Sequence, residues 1–297
     1  MAALSGEQMA LHSKGATASD IDQFEHVRRL HIGRHVSGVV LIALALWIVI
    51  AFARGQIEWH VVGQFLTAQA ILAGLAFTVL LTALAMLLGI TLGVTVAVAG
   101  LSANPIARWL AGAYVWFFRG TPVLLQLMLW FNLALVFPTI GIPGLYEART
   151  VDVMTPFFAA LLGLGLCQGA YTSEVVRAGL LSVGQGQYEA ASSIGMPRFQ
   201  ALRRIILPQA MRAIVPPIGN EVIGMVKMTS LASVVQVSEI MYNAQNIYYV
   251  NNHVIELLIV VTIWYLIVVS ILSVFQKKIE RYYSRGAGRG AQSRRGR

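Results

Sequence analysis

The chain has 297 residues, of which 57% are hydrophobic and only 12% charged, with a net charge of +9 and a mean hydropathy of +0.69. Soluble globular chains are about a quarter charged, so an ordinary soluble domain is excluded and the composition is that of an integral membrane protein. In such a protein the positions of the basic residues matter more than their sum, and no nucleic-acid partner is expected.

Residues 1–35 are polar and of mixed charge, the pattern of a cytoplasmic lead-in. Arg28, Arg29 and Arg34 precede an apolar run at 36–53 that ends Ala51-Phe52-Ala53 and so imitates a secretory signal. The run is longer than a signal core, and it is taken as an uncleaved first span. No charge falls between His60 and Arg108, which leaves room for a short interfacial helix and then one complete span of roughly 20 residues. Further spans are predicted at 122–138, 156–176, 213–235 and 254–276, giving an all-α protein of six transmembrane helices. The tail at 281–297 is basic and predicted disordered, each charge worth about 1 kcal/mol on an anionic inner leaflet.

With both termini cytoplasmic, nineteen of the 22 Lys and Arg residues fall inside, Arg119 among them. Arg54 and Arg149 fall outside, and Lys227 lies within a span. The positive-inside rule selects this orientation. It also puts the polar stretch at 185–208 in the cytoplasm. There Gln185 to Ile194 is compatible with a helix, Gly195 can turn left-handed at its end without steric penalty, and Pro197 suits the first turn of a second helix. The expected product is two short helices around a glycine turn. The first presents Glu189 beside the small Ala190 and Ala191, and the second carries Arg198, Arg203 and Arg204. Such a knob suits docking into a groove on a soluble partner.

The same stretch resembles the EAA loop of ABC importer permeases. That pattern is EAA, three residues, Gly, nine residues, Ile, any residue, Leu-Pro, and Glu189, Ala190, Ala191, Gly195, Ile205, Leu207 and Pro208 all fall on it. From about residue 70 to 280 the chain is similar to the polar amino acid branch of these permeases. The resemblance is carried by Ala73-Gly74-Leu75-Ala76-Phe77-Thr78, by Phe118-Arg119-Gly120-Thr121-Pro122, by Tyr171-Thr172-Ser173-Glu174, by Asn220-Glu221, and by Lys227-Met228-Thr229-Ser230. Met228 stands where the branch usually has an acidic or polar residue.

Arg119-Gly120-Thr121-Pro122 has a physical reading of its own. Arg119 ends a short amphipathic cytoplasmic segment, Gly120 permits a bend, and Thr121 caps a helix that Pro122 begins. The role is structural, with a direct contact to solute as the other reading. Amide and ionisable groups inside apolar spans are costly and face a bundle interior or a wet cavity. Gln168, Tyr171 and Glu174, spaced by three, are expected to share a helical face. Glu221 and Lys227, six apart, are too far out of phase to pair locally. With Asn220 and Ser230 these groups are candidates for a solute path, the competing reading being interhelical hydrogen bonding. Gly89 with Gly93, and Gly165 with Gly169, make two GxxxG pairs expected to pack helices within the subunit. Cys167 is the lone cysteine, which rules out an intrachain disulfide, and the scattered histidines argue against a metal site. No phosphate loop and no paired catalytic carboxylates occur, so no catalytic residue is assigned.

The resemblance implies a permease domain at 70–280, with the span at 36–53 added before a five-helix core. It implies a second permease chain, identical or a sister, and separate ATPase subunits that bind ATP and Mg beneath the EAA loops. It further implies an extracytoplasmic solute-binding protein, a polar amino acid as solute, and a multi-pass place in the cell inner membrane. The chain itself would carry no cofactor and would not be an enzyme. The alternative is a self-sufficient secondary carrier or channel coupled to ions, which explains the intramembrane charges equally well but not the EAA pattern.

Overall fold

The computed structural model describes residues 32–142 and 146–284; most of the expected lead-in, and the tail from 285, lie outside the described residues. The chain divides into two units, residues 1–57 and 58–297. In the first, α1 (Ile32–Ala53) is a proline-free apolar run with Val39, Ile42 and Trp47 exposed along its length.

The second unit begins with α2 (Trp59–Leu66) and α3 (Gln69–Gly100), the short helix and long span expected from the uncharged stretch. Then come α4 (Pro105–Gly120) and α5 (Val123–Phe131). Asn104 caps α4, its Oδ1 accepting from Ile106 N at 2.9 Å, with Pro105 in the first turn where no donor is needed. Beyond α5 the chain forms an antiparallel hairpin, β1 (Thr139–Ile142) with β2 (Tyr146–Arg149), in which Thr139 stands opposite Arg149. The one-turn α6 (Thr150–Val153) leads to α7 (Pro156–Leu181), started by the same device of a capping Thr155 and a following proline. Then follow α8 (Gln185–Ser193), α9 (Arg198–Ala201), a π-helical turn at Leu202–Ile206, and α10 (Leu207–Met228). A 3-10 stretch (Thr229–Val235), α11 (Ile240–Asn251) and α12 (Val254–Ser284) complete the described chain.

Several expectations change. The class is mostly helical and not all-α, because of the hairpin, whose sequence signal was the Pro143-Gly144 turn pair. The span expected at 122–138 contains only the nine residues of α5 as α-helix. That is about 14 Å, half a bilayer core, so membrane-crossing length is reached only with α4 ahead of it. α10 starts at Leu207, six residues before the expected 213, because it grows directly out of the polar loop. α12 runs on to Ser284, past 276 and into the expected tail. Among the described residues, α3 and α12 are long and apolar enough to cross a membrane by length and composition.

The most extensive packing is between α3 and α7, and glycine makes it. A Cβ at Gly89 would stand 2.5 Å from Gln168, and one at Gly93 would stand 2.6 Å from Thr172. From the other side, a Cβ at Gly165 would stand 2.5 Å from Leu88, and one at Gly169 would stand 3.0 Å from Leu92. The two GxxxG stripes therefore face each other within one chain. Leu81, Ala85 and Met86 of α3, Leu127 of α5, Ala160 and Leu164 of α7 and Met225 of α10 form the buried core around this seam. Gly93→Val is expected to cost about 1–3 kcal/mol through overpacking. The check is thermal unfolding in detergent, with Gly112→Val, which opens on empty space, as a control that leaves the melting temperature unchanged.

Candidate functional site

The loop at 185–208 is built from its backbone outward. Gly195, at φ +68°, ends α8 in a paired cap: Gly195 N donates to Ser192 O at 3.0 Å and Met196 N to Ala191 O at 3.0 Å. Pro197 sits one residue ahead of the next helix, as the N-cap of α9 and not in its first turn. That second helix is not a separate short rod either. It passes through the π turn into α10, so the loop's return arm is the beginning of a membrane helix. Pro208 has no N–H to give, and the wide turn before it is where the ladder shifts, Leu207 N donating to Leu202 O. Gln209 Nε2 donates to Ile205 O at 2.9 Å and to Gln187 Oε1 at 3.2 Å, which stitches the two arms together.

Of the seven motif residues, Glu189 and Ala190 are exposed on α8 and Leu207 and Pro208 on the return arm, Gly195 is exposed at the turn, and Ile205 is half-buried. Ala191 differs from expectation: it is 1% exposed, faces the loop's own interior and is not presented to a partner. The exposed apolar surface at the tip comes instead from Ile194 and Phe199, 72% and 74% exposed, which the sequence reading missed. The root is fixed by Ile206, wholly buried with Ala210, Ile214, Val176 and Val183.

Arg119-Gly120-Thr121-Pro122 forms the break between α4 and α5. Thr121 is the C-cap of α4 and does not start α5; Pro122 is the N-cap of α5. The Thr121 hydroxyl donates back to Phe117 O at 2.9 Å. Gln126, 2% exposed, closes the gap from the far side, its Nε2 lying 3.0 Å from Phe118 O, 3.1 Å from Thr121 O and 2.8 Å from Thr121 Oγ1. The Arg119 guanidinium lies 5.2 Å from the centroid of the Tyr171 ring. Tyr171 is ten residues from the end of α7 and fifteen from its start, so the Arg119 guanidinium lies against the interior of that helix and not against either end.

The structure separates Gln168, Tyr171 and Glu174. Gln168 turns into the seam, where its Nε2 donates to Glu221 Oε2 at 2.7 Å, and Thr172 donates to the same oxygen at 3.0 Å. Tyr171 faces Arg119. Glu174 pairs with Arg177 one turn on, at 2.6 Å, and both line a cavity of about 350 Å³ between α3, α4 and α7. Glu221 and Lys227 do not meet. Lys227 has no ion-pair partner among the described residues and borders a cavity of about 320 Å³ with Ser230, Thr262 and Tyr265. Asn220 points the other way from Glu221, its Nδ2 donating to Glu280 at 3.3 Å. Ser230 spends its hydroxyl on Lys227 O at 2.7 Å. The path candidates thus fall in five places, of which Gln168 and Glu221 share one and Lys227 and Ser230 another. Thr172, buried between them, lay inside a quoted motif without being singled out. Among the described residues no cluster suited to a metal ion is present.

Residues 89–285 match the family described as binding-protein-dependent transport system inner membrane component, and the chain belongs to that family. It is 36% identical over 283 residues to the arginine transport system permease protein ArgU of Corynebacterium glutamicum, covering 94% of this chain and 89% of that one. The L-cystine transport system permease protein TcyB of Bacillus subtilis is 38% identical over 213 residues, covering 71% and 86%. Among solved structures, an amino acid ABC transporter with histidines is similar at TM-score 0.63 and 32% identity, covering 72% of this chain and 94% of that one. The MetNI methionine ABC transporter, inward facing, shares the fold at TM-score 0.56 and 19% identity. The chain is a permease subunit of an ABC importer.

Removing one donor from Glu221 tests the seam. Gln168→Leu is expected to cost roughly 1–3 kcal/mol, the range for stranding a buried polar group, and Gln168→Leu with Glu221→Leu to recover part of it. Melting temperatures of the single and double variants in detergent check this.

Proposed function

We propose that this chain forms half of the translocation pathway of an ATP-driven importer for a polar amino acid in the cell inner membrane. A second permease, separate ATPase subunits binding ATP and Mg, and an extracytoplasmic solute-binding protein complete the machine. The observation that carries the reading is the 185–208 loop: a polar helical hairpin closed by Gly195, rooted through Ile206, and bearing Ile194 and Phe199 outward. Exposed apolar side chains grouped at a polar tip mark a protein contact. The amino acid class is favoured by relatives whose names specify arginine and L-cystine. An ion-coupled secondary carrier would have no use for such a tip, and family membership gives that alternative no support.

In this reading the domain at 70–280 spans the membrane five times: α3, the broken pair α4–α5, α7, α10 with its 3-10 extension, and α12. α1 adds a sixth crossing, and both termini are cytoplasmic. The ATPases, closing on ATP, push on α8 and α9, and the push enters the bundle through the π turn and α10. Solute meets the Gln168–Thr172–Glu221 seam, the Arg119–Tyr171 pair or the Lys227–Ser230 cavity, each offering charge or hydrogen bonds to one end of a zwitterion. Alternation between inward-open and outward-open states needs only a ligand that binds the two states unequally.

Placing a β-branched side chain at φ +68° costs about 1–2 kcal/mol, concentrated in the turn. Gly195→Val is therefore expected to abolish uptake of radiolabelled L-arginine or L-cystine in a transport-deficient host while membrane insertion stays normal. Glu189→Ala is expected to act in the same direction. A cysteine at Ser192 is expected to react only with reagent supplied from inside. Normal uptake in both variants, or labelling of Ser192→Cys from outside, removes the coupling role.

A further inference from the structure

α10 carries Pro216 and Pro217 inside the helix, nine residues above its start. Neither offers an N–H, so the carbonyls four residues earlier, of Arg212 and Ala213, lose their intrahelical donors, and a helix yields to bending at such a point. The break lies between the coupling loop on one side and Glu221 on the other.

α12 crosses α10 at this level. Gln276, 5% exposed, donates from Nε2 to Pro216 O at 2.7 Å and to Glu280 Oε1 at 2.9 Å. Glu280 Oε1 in turn accepts from Asn220 Nδ2 at 3.3 Å. The contact needs a glycine: a Cβ at Gly219 would stand 1.8 Å from Gln276 Oε1. That oxygen is buried without a donor among the described residues. A buried amide that leaves its acceptor unpaired contributes little net stability, since the desolvation of one group offsets what the other gains. An apolar side chain of the same volume would hold the two helices as firmly. What the amide adds is direction, because it takes hold of the backbone at the break itself.

We propose that Gln276 and Glu280 are positioning residues that fasten α10 to α12 at the double proline, through Pro216 O and Asn220. Displacement of the coupling loop then reaches the Glu221 segment instead of being absorbed as bending. The inference rests on the coupling role proposed above and adds the element that makes α10 a lever.

The test uses the full chain purified with its ATPase and any sister permease from its own membrane. The complex is reconstituted in vesicles with its binding protein, and uptake of radiolabelled L-arginine or L-cystine and ATP hydrolysis are read in the same sample. Wild type without ATP-dependent uptake would fault the coupling role and not the clasp. Given wild-type uptake, Gln276→Met is expected to raise the ATP consumed per solute about three- to tenfold, the range seen when a coupling route is weakened. Its melting temperature is expected to stay within about 2 °C of wild type. Gly219→Ala pushes the same amide away from the opposite helix and is expected to raise the ratio alike, and the double variant no further than either alone. An unchanged ratio in both single variants overturns the proposal, as does a ratio that rises only where the melting temperature falls. If Gln276→Met does not reach the membrane, Gly219→Ala decides alone by the same two readings.

Discussion

The larger unit depends on one contact, the approach of α3 to α7 across positions that carry no side chain. In lipid the hydrophobic effect does not press helices together, so association rests on van der Waals contact and interhelical hydrogen bonds. Gly89, Gly93, Gly165 and Gly169 let each helix receive the side chains of the other. The consequence is polar as well as steric. Gln168 and Thr172 are the residues seated against Gly89 and Gly93, and they are the two donors that hold Glu221. The bare face of Gly169 leaves room for the Tyr114 hydroxyl, which donates to Leu166 O at 2.6 Å and ties α4 to the same seam. A closely packed pair of helices thereby fixes where a charged group can be kept among apolar neighbours.

A second regularity runs through the breaks. Backbone groups in a bilayer have no water to turn to, and each interruption of a helix must be satisfied by protein. At three irregular or proline-bearing places a glutamine amide donates to a backbone carbonyl, and at the first it replaces the donor that Pro122 lacks. Gln126 serves the carbonyls of Phe118 and Thr121 at the α4–α5 junction, Gln209 serves Ile205 at the π turn, and Gln276 serves Pro216. Glutamine suits the task because its amide reaches a carbonyl on a neighbouring turn or helix while carrying no charge into the membrane. Gln126 and Gln276 both do so with an oxygen that has no hydrogen-bond partner among the described residues.

What the sequence disclosed follows from the range of the forces involved. Class and the loop's turn were legible because composition and the conformation of a single residue such as Gly195 are local properties. The GxxxG stripes could be recognised but not paired with each other, since spacing on one helix does not name the helix opposite. Spacing misled for Gln168, Tyr171 and Glu174: three-residue steps drift around the helix, and the first and third end up facing different neighbours. Ala191 was read as a presented surface because the motif groups it with Glu189 and Ala190, whereas its burial depends on how the chain returns after Gly195, which the motif does not state. The span at 122–138 was drawn from apolar content alone, which does not register that the α-helix after Pro122 ends at Phe131. Pro216 and Pro217 stood in plain view in the sequence and passed unremarked, because hydropathy registers their surroundings and not the missing donors.

The loop's shape bears on how force can pass through it. A knob on flexible stalks would transmit little, since motion at the tip would be spent in the stalks. Here one arm, α8, is pinned to the other through Gln187 and Gln209, and the second arm has no stalk, passing through the π turn into α10 with Ile206 sunk in the core. The loop carries Ile194 and Phe199 exposed, on a stretch that also bears Glu189 and Arg198. In the proposed coupling role, a partner that seats on the loop moves α10 with it. In the proposed coupling, the part of the path that can still yield is the double proline, and Gln276 of α12 takes hold of the backbone there.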